Sequence, residues 1–184
     1  MPAINKSYFA LLGLLSIKPM SAYELVKFSK ESIGLFWNES YGHTHKSLKE
    51  LEKKEAIMLV EDHPSGRRQK VYDITVAGKR MLKEWLSERP DEVVFRNELL
   101  LKVFLADKQH IKDLLSYIEA EEASCQEMLG IIQGIEVTMQ HVVNQQGAKS
   151  SQRELWLLTI DYGHRYLNMT IEWCKHAREV LERI

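Results

Sequence analysis

The hydrophobic spacing of the first ninety residues changes from helical to strand-like and back, and this change most constrains the fold. Three segments with helical spacing come first: residues 7–17, 21–31 and about 40–54. Two strand-like runs then flank a turn-rich loop: residues 57–60 and 70–74. Three short helices alone prove little. The hairpin directly after the third helix is therefore the discriminating feature.

Capping signals fix where two of these helices begin. Ser21 and Glu24 form a capping box at the start of the second helix, and Thr75 caps a fourth helix that ends before Pro90. The complete order is helix–helix–helix–strand–loop–strand–helix. It predicts a winged helix-turn-helix domain over residues 1–89, in which the third helix is placed to enter a DNA groove.

The third predicted helix carries a positively charged face. Four residues recur at intervals of four, three and four, which places them on one side of a helix: Gly42, Lys46, Lys49 and Lys53. Leu48 and Leu51 lie on the opposite side. Lysines at this spacing can neutralise phosphates or reach guanine acceptors, and a glycine lets a sugar-phosphate backbone approach closely. The alternative is the solvated face of an amphipathic helix.

The loop of the predicted hairpin adds a second positive cluster. Arg67, Arg68 and Lys70 place three charges within four residues, beside Gly66. Arginine in such a wing can enter a minor groove or grip backbone phosphate. A solvated turn is the alternative, but it explains one arginine better than a cluster next to a basic helix. The two basic features together favour DNA binding.

The net charge of the chain conceals an uneven distribution. Overall, 25 Lys and Arg face 26 Asp and Glu, for a net charge of −1. Residues 1–89 hold 15 basic and 11 acidic residues, a net of +4, whereas residues 90–184 hold 10 and 15, a net of −5. Because electrostatic steering follows the local field, the first half can still attract phosphate.

Composition excludes several classes of protein. Cys125 and Cys174 are too few for a disulfide framework and lack metal-ligand spacing, so we expect buried thiols. No uncharged apolar run is long enough to cross a bilayer. Lys6 and the apolar run after it resemble a weak signal peptide, but Lys18-Pro19 and the missing cleavage site favour a cytoplasmic protein.

Residues 90–184 follow a repeat of about 3.5 residues, which is typical of helices packed along a seam. After an apolar segment at 95–105, Asp107 can cap a long helix to about Gln145, whose seam includes Glu121. Residues 146–150 break the pattern, and a second long helix follows, whose seam includes Thr170. The short break predicts an antiparallel hairpin, and two hairpins would form a four-helix homodimer interface. The fold class is mainly α (α+β).

The second long helix is rich in aromatic residues. Planar effectors stack well on such side chains, and a groove at a dimer axis is a usual place for a ligand. The alternative is that these residues form the dimer core. The residues predicted to form a dimer or effector surface are Trp156, Ile160, Tyr162, Tyr166, Leu167, Trp173 and Leu181.

The residue pattern indicates neither a metal site nor a catalytic site. His43 and His45 lie two positions apart, on different faces of a helix, so they do not converge on one ion with His63. Asp161 and His164 are i,i+3 neighbours, but no nucleophile follows, and a surface ion pair is the simpler interpretation. With no nucleotide-binding, hydrolase or metalloprotease motif, we expect no enzyme and no cofactor.

Several motifs resemble the PadR family of bacterial transcription regulators. They stand in family order and spacing over most of residues 8–86: 10–15, 19–25, 36–42, 48–52 and 66–78. The second half resembles the longer branch of the family, with a C-terminal helical dimerisation domain, and 95–102 is its most family-like segment. This chain departs from the family at Thr44, His45 and Lys46, where an Ile-Tyr pair and a proline are common.

The resemblance implies a homodimer that binds an inverted repeat, usually as a repressor released by a small, often aromatic, molecule. Carried onto this chain, it implies DNA contacts at Ser40, Tyr41, Gly42, His43, Lys46, Arg67 and Lys70. A rival hypothesis is a protein-interaction scaffold, in which the winged helix has no DNA specificity. A small-molecule enzyme would need a polar catalytic cluster that the sequence does not show.

Overall fold

The computed structural model of the chain describes residues 5–34, 36–38, 40–60, 70–146 and 150–184, of which 138–146 and 150 are described as backbone alone. Within these residues the elements follow in this order: α1 Ser7–Leu15, β1 Met20–Ser21, α2 Ala22–Lys30, α3 Tyr41–Lys53, β2 Ile57–Val60, β3 Val71–Ile74, α4 Val76–Leu86, α5 Glu98–Leu105, α6 Ile111–Gln146 and α7 Ser150–Leu181. They fall into two units, Met1–Asp91 and Glu92–Ile184.

The first unit closes its helices and its sheet on one apolar core. β3 lies between β1 and β2 and is antiparallel to both. The side chains that fill the core come from α1, α2, α3 and the sheet: Leu12, Leu15, Met20, Leu25, Leu48, Leu51 and Ile57. Phe9 stacks in parallel on Trp85, with ring centroids 4.7 Å apart, and so joins α4 to this core. The predicted winged helix-turn-helix fold is confirmed.

The capping signals act as the sequence predicts. The Ser21 hydroxyl accepts the Glu24 N–H at 3.2 Å, and the Glu24 carboxylate accepts the Ser21 N–H at 2.8 Å. At the start of α4, the Thr75 hydroxyl accepts the Gly78 N–H at 3.1 Å. Each cap satisfies a backbone donor that the helix itself cannot pair, a contribution of about 1 kcal/mol.

The structure differs from the expected elements in three places. Met20–Ser21 forms β1, which the sequence does not predict because a two-residue strand carries no periodic signal. The apolar segment 95–105 contains α5, whose first turn is capped by Asn97. Asp107 caps a 3₁₀ turn at Lys108–His110, not the long helix itself, which begins at Ile111. A hydrogen bond from His110 lowers the pKa of the Asp107 carboxyl.

α6 and α7 form the predicted antiparallel pair. The buried seam contains Leu114, Ile118, Cys125, Ile132, Ile135, Ile160, Leu167, Ile171 and Cys174. The prediction is one residue too early at two seam positions, because Glu122 and Ile171 are buried in place of Glu121 and Thr170. Counted from Ile118 or Leu167, the fourth residue along a helix lies about 40° from the same face and the third about 60°, which favours the later position. Of the predicted break at 146–150, Gln146 ends α6 and Ser150 begins α7, while 147–149 lie outside the described residues.

A buried ion pair joins the two long helices. Glu122 is only 8% exposed, and the Arg178 guanidinium donates to its carboxylate from α7. The Gln126 amide donates to the same carboxylate at 3.5 Å. A buried carboxylate without such partners is strongly destabilising. The pair therefore fixes the register of α6 against α7.

Candidate nucleic-acid interface

Buried polar and apolar side chains hold α3 in a fixed orientation. Ser40 caps the helix by accepting the His43 N–H at 3.3 Å. Thr44 is buried, and its hydroxyl donates to the Ser40 carbonyl at 3.2 Å, so burial leaves it satisfied. Leu48 and Leu51 anchor the same side of the helix in the core. The opposite side faces outward.

The outward side of α3 carries the residues predicted to form its charged face. Gly42, Lys46, Lys49 and Lys53 are all exposed, as is the neighbouring Tyr41. A Cβ built on Gly42 meets nothing within 4 Å, so this end of the helix is open to a close approach from outside. We refer to Gly42, Lys46, Lys49 and Lys53 as the cationic face.

One lysine of the cationic face is already paired. The Lys53 ammonium donates to the Glu50 carboxylate at 2.8 Å. This hydrogen bond raises the pKa of Lys53 and lowers the pKa of Glu50. Within the described ranges Lys46 and Lys49 have no ion-pair partner. These two lysines therefore carry the unneutralised charge of the face.

The two histidines of α3 have different surroundings. His43 is exposed, and its Nε2 atom lies 3.3 Å from both the Ser7 hydroxyl and the Asn5 amide nitrogen. The Asn5 amide also donates to the buried Ser47 hydroxyl at 3.4 Å. The segment before α1 thus contacts the start of α3, a contact between residues about forty positions apart that no local pattern predicts.

His45 is half-buried, with its ring edge-on to Tyr41 at a centroid distance of 4.5 Å. This ring contact lies within α3 itself. No group of three potential metal ligands converges anywhere in the described part of the chain. His63, which the metal hypothesis would also need, lies outside the described residues.

A left-handed turn ends α3 and places the sheet beside it. Glu55 has φ 54°, and the Ala56 N–H reaches back to the Leu51 carbonyl at 3.0 Å, as in a Schellman motif. The Thr75 hydroxyl donates to the Glu55 carbonyl at 2.7 Å. A Cβ on Gly78 would lie 2.1 Å from the Ala56 carbonyl oxygen. Only glycine permits this contact between α4 and the turn.

The structure describes the base of the wing, which is formed by β2 and β3. β2 and β3 pair from Ile57 opposite Ile74 to Val60 opposite Val71, and the exposed Lys70 directly precedes β3. The predicted contacts Arg67 and Arg68 lie outside the described residues.

The residues predicted for the dimer or effector surface fall into three groups by exposure. Ile160 and Leu167 are buried in the seam, and Trp156, Trp173 and Leu181 are half-buried. Tyr162 is 67% exposed and Tyr166 is 44% exposed.

The two cysteines, Cys125 and Cys174, are buried as the sequence predicts. Burial raises the pKa of the Cys174 thiol to about 11, so this thiol stays protonated.

Tyr166 and Trp173 also line a cavity of about 170 Å³ in the second unit. Its other walls include residues outside the predicted dimer or effector surface: Phe95, Leu100, Glu121 and Met169. They come from α5, α6, α7 and the segment before α5. No single periodic pattern would have grouped them, because they meet only when the three helices pack.

The predicted pairing of Asp161 with His164 is wrong in its partner. The Arg165 side chain donates to the Asp161 carboxylate at 2.8 Å. This bond lowers the pKa of Asp161, with a smaller effect from the charge of His164. Asp161 and Arg165 therefore form an exposed ion pair on α7, at the i,i+4 spacing that brings two side chains together on a helix.

A winged helix-turn-helix unit with an outward cationic helix, followed by a long helical hairpin, defines a class of transcription regulators. Residues 11–84 match the model of the Transcriptional regulator PadR-like family, and residues 95–182 match Virulence activator alpha C-term. The chain belongs to the PadR-like family of DNA-binding transcriptional regulators. The resemblance seen in the motifs is confirmed.

Individual relatives agree with this assignment. The chain is 26% identical over 129 residues to the negative transcriptional regulator PadR of Bacillus subtilis, covering 66% of this chain and 70% of the relative. A PadR-like transcriptional regulator from Bacillus cereus shares its fold with a TM-score of 0.78, 18% identity and 98% coverage of each chain.

Two solved structures of Bacillus subtilis PadR share the fold as well. One is in complex with operator DNA, with a TM-score of 0.77, 21% identity and 100% coverage of both chains. The other is in complex with p-coumaric acid, with a TM-score of 0.70, 20% identity and coverage of 97% of this chain and 99% of that one.

No helix in the described ranges combines the length and apolarity that a membrane span requires.

Proposed function

We propose that this regulator binds an inverted-repeat operator as a homodimer and represses transcription until a small aromatic molecule releases it. The observation that carries the proposal is the cationic face of α3, on which Lys46 and Lys49 have no ion-pair partner among the described residues. The name of its Bacillus subtilis relative, a negative regulator, and the operator and p-coumaric acid complexes of that protein support the same function.

The first unit supplies the DNA contacts in this proposal. They are the predicted residues of α3 and of the wing: Ser40, Tyr41, Gly42, His43, Lys46, Lys49, Lys53, Arg67, Arg68 and Lys70. Lys46 and Lys49 contribute most among the described ones, because Lys53 must first give up its bond to Glu50. Each lysine that neutralises a phosphate releases condensed counterions, so binding depends steeply on salt.

The second unit supplies the dimer contacts. α7 exposes apolar side chains at intervals of three and four residues, which places them along one stripe: Leu155, Leu158 and Tyr162. α5 adds Phe104 and Leu105, both largely exposed. A monomer seldom leaves so large an apolar surface in water. A second copy of the chain covers this stripe in our proposal.

We also infer that the protein acts in the cytoplasm and has no enzymatic activity. Its family consists of transcription regulators, which act where the chromosome lies. The acid–histidine neighbours on α7 support no catalytic role, since Asp161 is committed to Arg165.

Selection of bound genomic fragments by the purified protein yields the operator needed to test the DNA contacts. Affinity for that operator is then measured by fluorescence anisotropy over a range of salt concentrations. We expect Lys46→Ala to weaken binding and to reduce the slope of log affinity against log salt by about one unit for each phosphate that the variant no longer neutralises.

The matched control for this prediction is Lys79→Ala, which removes an equal charge from an exposed position on α4. It should leave the slope nearly unchanged. Equal effects of the two substitutions would mean that only net charge matters, and the cationic face would lose its assigned role.

A further inference from the structure

The cavity in the second unit has aromatic walls and one charged group. Phe95, Tyr166 and Trp173 supply rings, Leu100 and Met169 supply apolar surface, and Glu121 supplies a carboxylate. Its volume of about 170 Å³ suits a ligand with one ring and a short side chain. The cavity belongs wholly to the second unit.

Among the described residues that line the cavity, Glu121 is the one that carries a charge, and two cations of this unit are paired with other carboxylates. The Arg178 guanidinium is committed to Glu122. The Lys102 ammonium lies 3.1 Å from the Glu98 carboxylate and 4.9 Å from the centre of the Tyr117 ring. In the described part of the chain Glu121 has no ion pair and no hydrogen bond through its side chain. A negative charge is thus left on the cavity wall.

Two neutral polar side chains of the wall, those of Asn97 and Thr170, are used by the backbone. The Asn97 side-chain oxygen accepts the Leu100 N–H at 2.9 Å, and the Thr170 hydroxyl donates to the Tyr166 carbonyl at 3.0 Å. Neither residue offers a positive charge to an anionic ligand. No lining residue is positively charged, so a carboxylate in this cavity would face Glu121, and like charges at short range repel.

We propose that the cavity binds an organic cation, an aromatic or aralkyl amine whose ammonium meets Glu121 and whose apolar body lies among the rings. Aromatic faces attract cations through their quadrupole, and a carboxylate adds a charge-assisted hydrogen bond. This proposal rests on the ligand response proposed above and names its chemical class. It sets this chain apart from its relative in complex with p-coumaric acid, a carboxylic acid.

The test compares ligands of opposite charge by isothermal titration calorimetry on the full chain. The probes are 2-phenylethylammonium and 3-phenylpropanoate, which share a ring and differ in the sign of their charge. We expect the amine to bind and the acid to give no measurable heat. Glu121→Gln keeps the shape of the side chain and should weaken amine binding about tenfold, since a charge-assisted bond contributes roughly that factor.

Glu119→Gln, at an exposed position on the same helix, is the matched control and should leave amine affinity unchanged. Binding of the acid as tight as that of the amine, no heat with the amine, or no effect of Glu121→Gln would each overturn the proposal. If the Glu121 variant does not fold, the two probes on the unaltered chain still decide. Operator binding is measured separately, so the failure of the amine site leaves the DNA-binding proposal standing, and the reverse also holds.

Discussion

The two units differ in where their apolar side chains lie. In the first unit the helices and the sheet enclose one another, and the outward side of α3 is left to glycine and lysine. In the second unit the long helices bury only the faces that meet each other. Phe104 of α5 is 85% exposed and Tyr162 of α7 is largely exposed. The first unit therefore has a closed core, although side chains such as Val76 and Leu86 are exposed, whereas the apolar stripe of the second unit is left for a further surface to cover.

The two units also differ in how their buried polar side chains are satisfied. In the first unit, the Thr44 hydroxyl is satisfied by the carbonyl of the residue that caps its own helix, which fixes local geometry. In the second, Glu122 is satisfied by Arg178 from the other long helix, which fixes register between elements. A closed apolar core makes the first unit compact. In the second unit, the two long helices are aligned by a long apolar seam that contains one buried ion pair among the described residues.

The largest effect should come from placing a charge on the open apolar face of the second unit. Tyr162→Asp puts an unpaired carboxylate where we expect a second copy to pack, which should weaken self-association roughly a hundredfold or more. Sedimentation velocity over a concentration series measures it. Asn168→Asp adds the same group at an exposed position off the stripe and should leave the dimer intact. Equal behaviour of the two variants would remove α7 from the interface.

A smaller effect should follow from filling the tight contact in the first unit. Gly78→Ala forces a methyl group against the Ala56 carbonyl and should lower the free energy of unfolding by about 3 kcal/mol. Gly13→Ala, in the middle of α1 with nothing within 4 Å of the new Cβ, should instead raise it by about 0.5–1 kcal/mol. Urea unfolding reports both. A stabilised Gly78 variant would refute the packing described at this turn.

An effect smaller than that of Gly78→Ala concerns the left-handed turn after α3. Glu55→Gly relieves the cost of a positive φ at a residue with a Cβ and should raise the free energy of unfolding by about 1 kcal/mol. Thermal unfolding followed by circular dichroism measures the shift. A lower midpoint than that of the unaltered chain would show that the Glu55 side chain contributes more than its backbone strain costs.

Elements with a local or a long sequence signal can be predicted from this chain. The capping box at Ser21, the cationic face of α3 and the two long helices each follow from periodicity or from a cap, which act within a few residues. β1 cannot be predicted in this way, because its two residues form a strand only by pairing with β3. α5 is only eight residues long and mostly apolar, and a short apolar run does not decide between helix and strand from the sequence alone.

Contacts between distant segments limit how much of the functional site can be predicted from the sequence. The approach of Asn5 to His43 joins residues 38 positions apart. The cavity gathers Phe95, Glu121 and Trp173 from three separate segments. Neither grouping has a spacing rule, since both depend on how whole elements pack. The one-residue shift that buries Glu122 instead of Glu121 likewise decides which carboxylate faces the cavity.

The central claim is that a homodimer presents the cationic face of α3 twice, at a fixed separation along the DNA. The most direct test measures affinity for the selected operator after about five base pairs, half a helical turn, are inserted between its half-sites. Our account predicts that affinity falls nearly to the level of an unrelated duplex, because the second helix then meets the wrong side of the DNA. Unchanged affinity for the lengthened operator would contradict it.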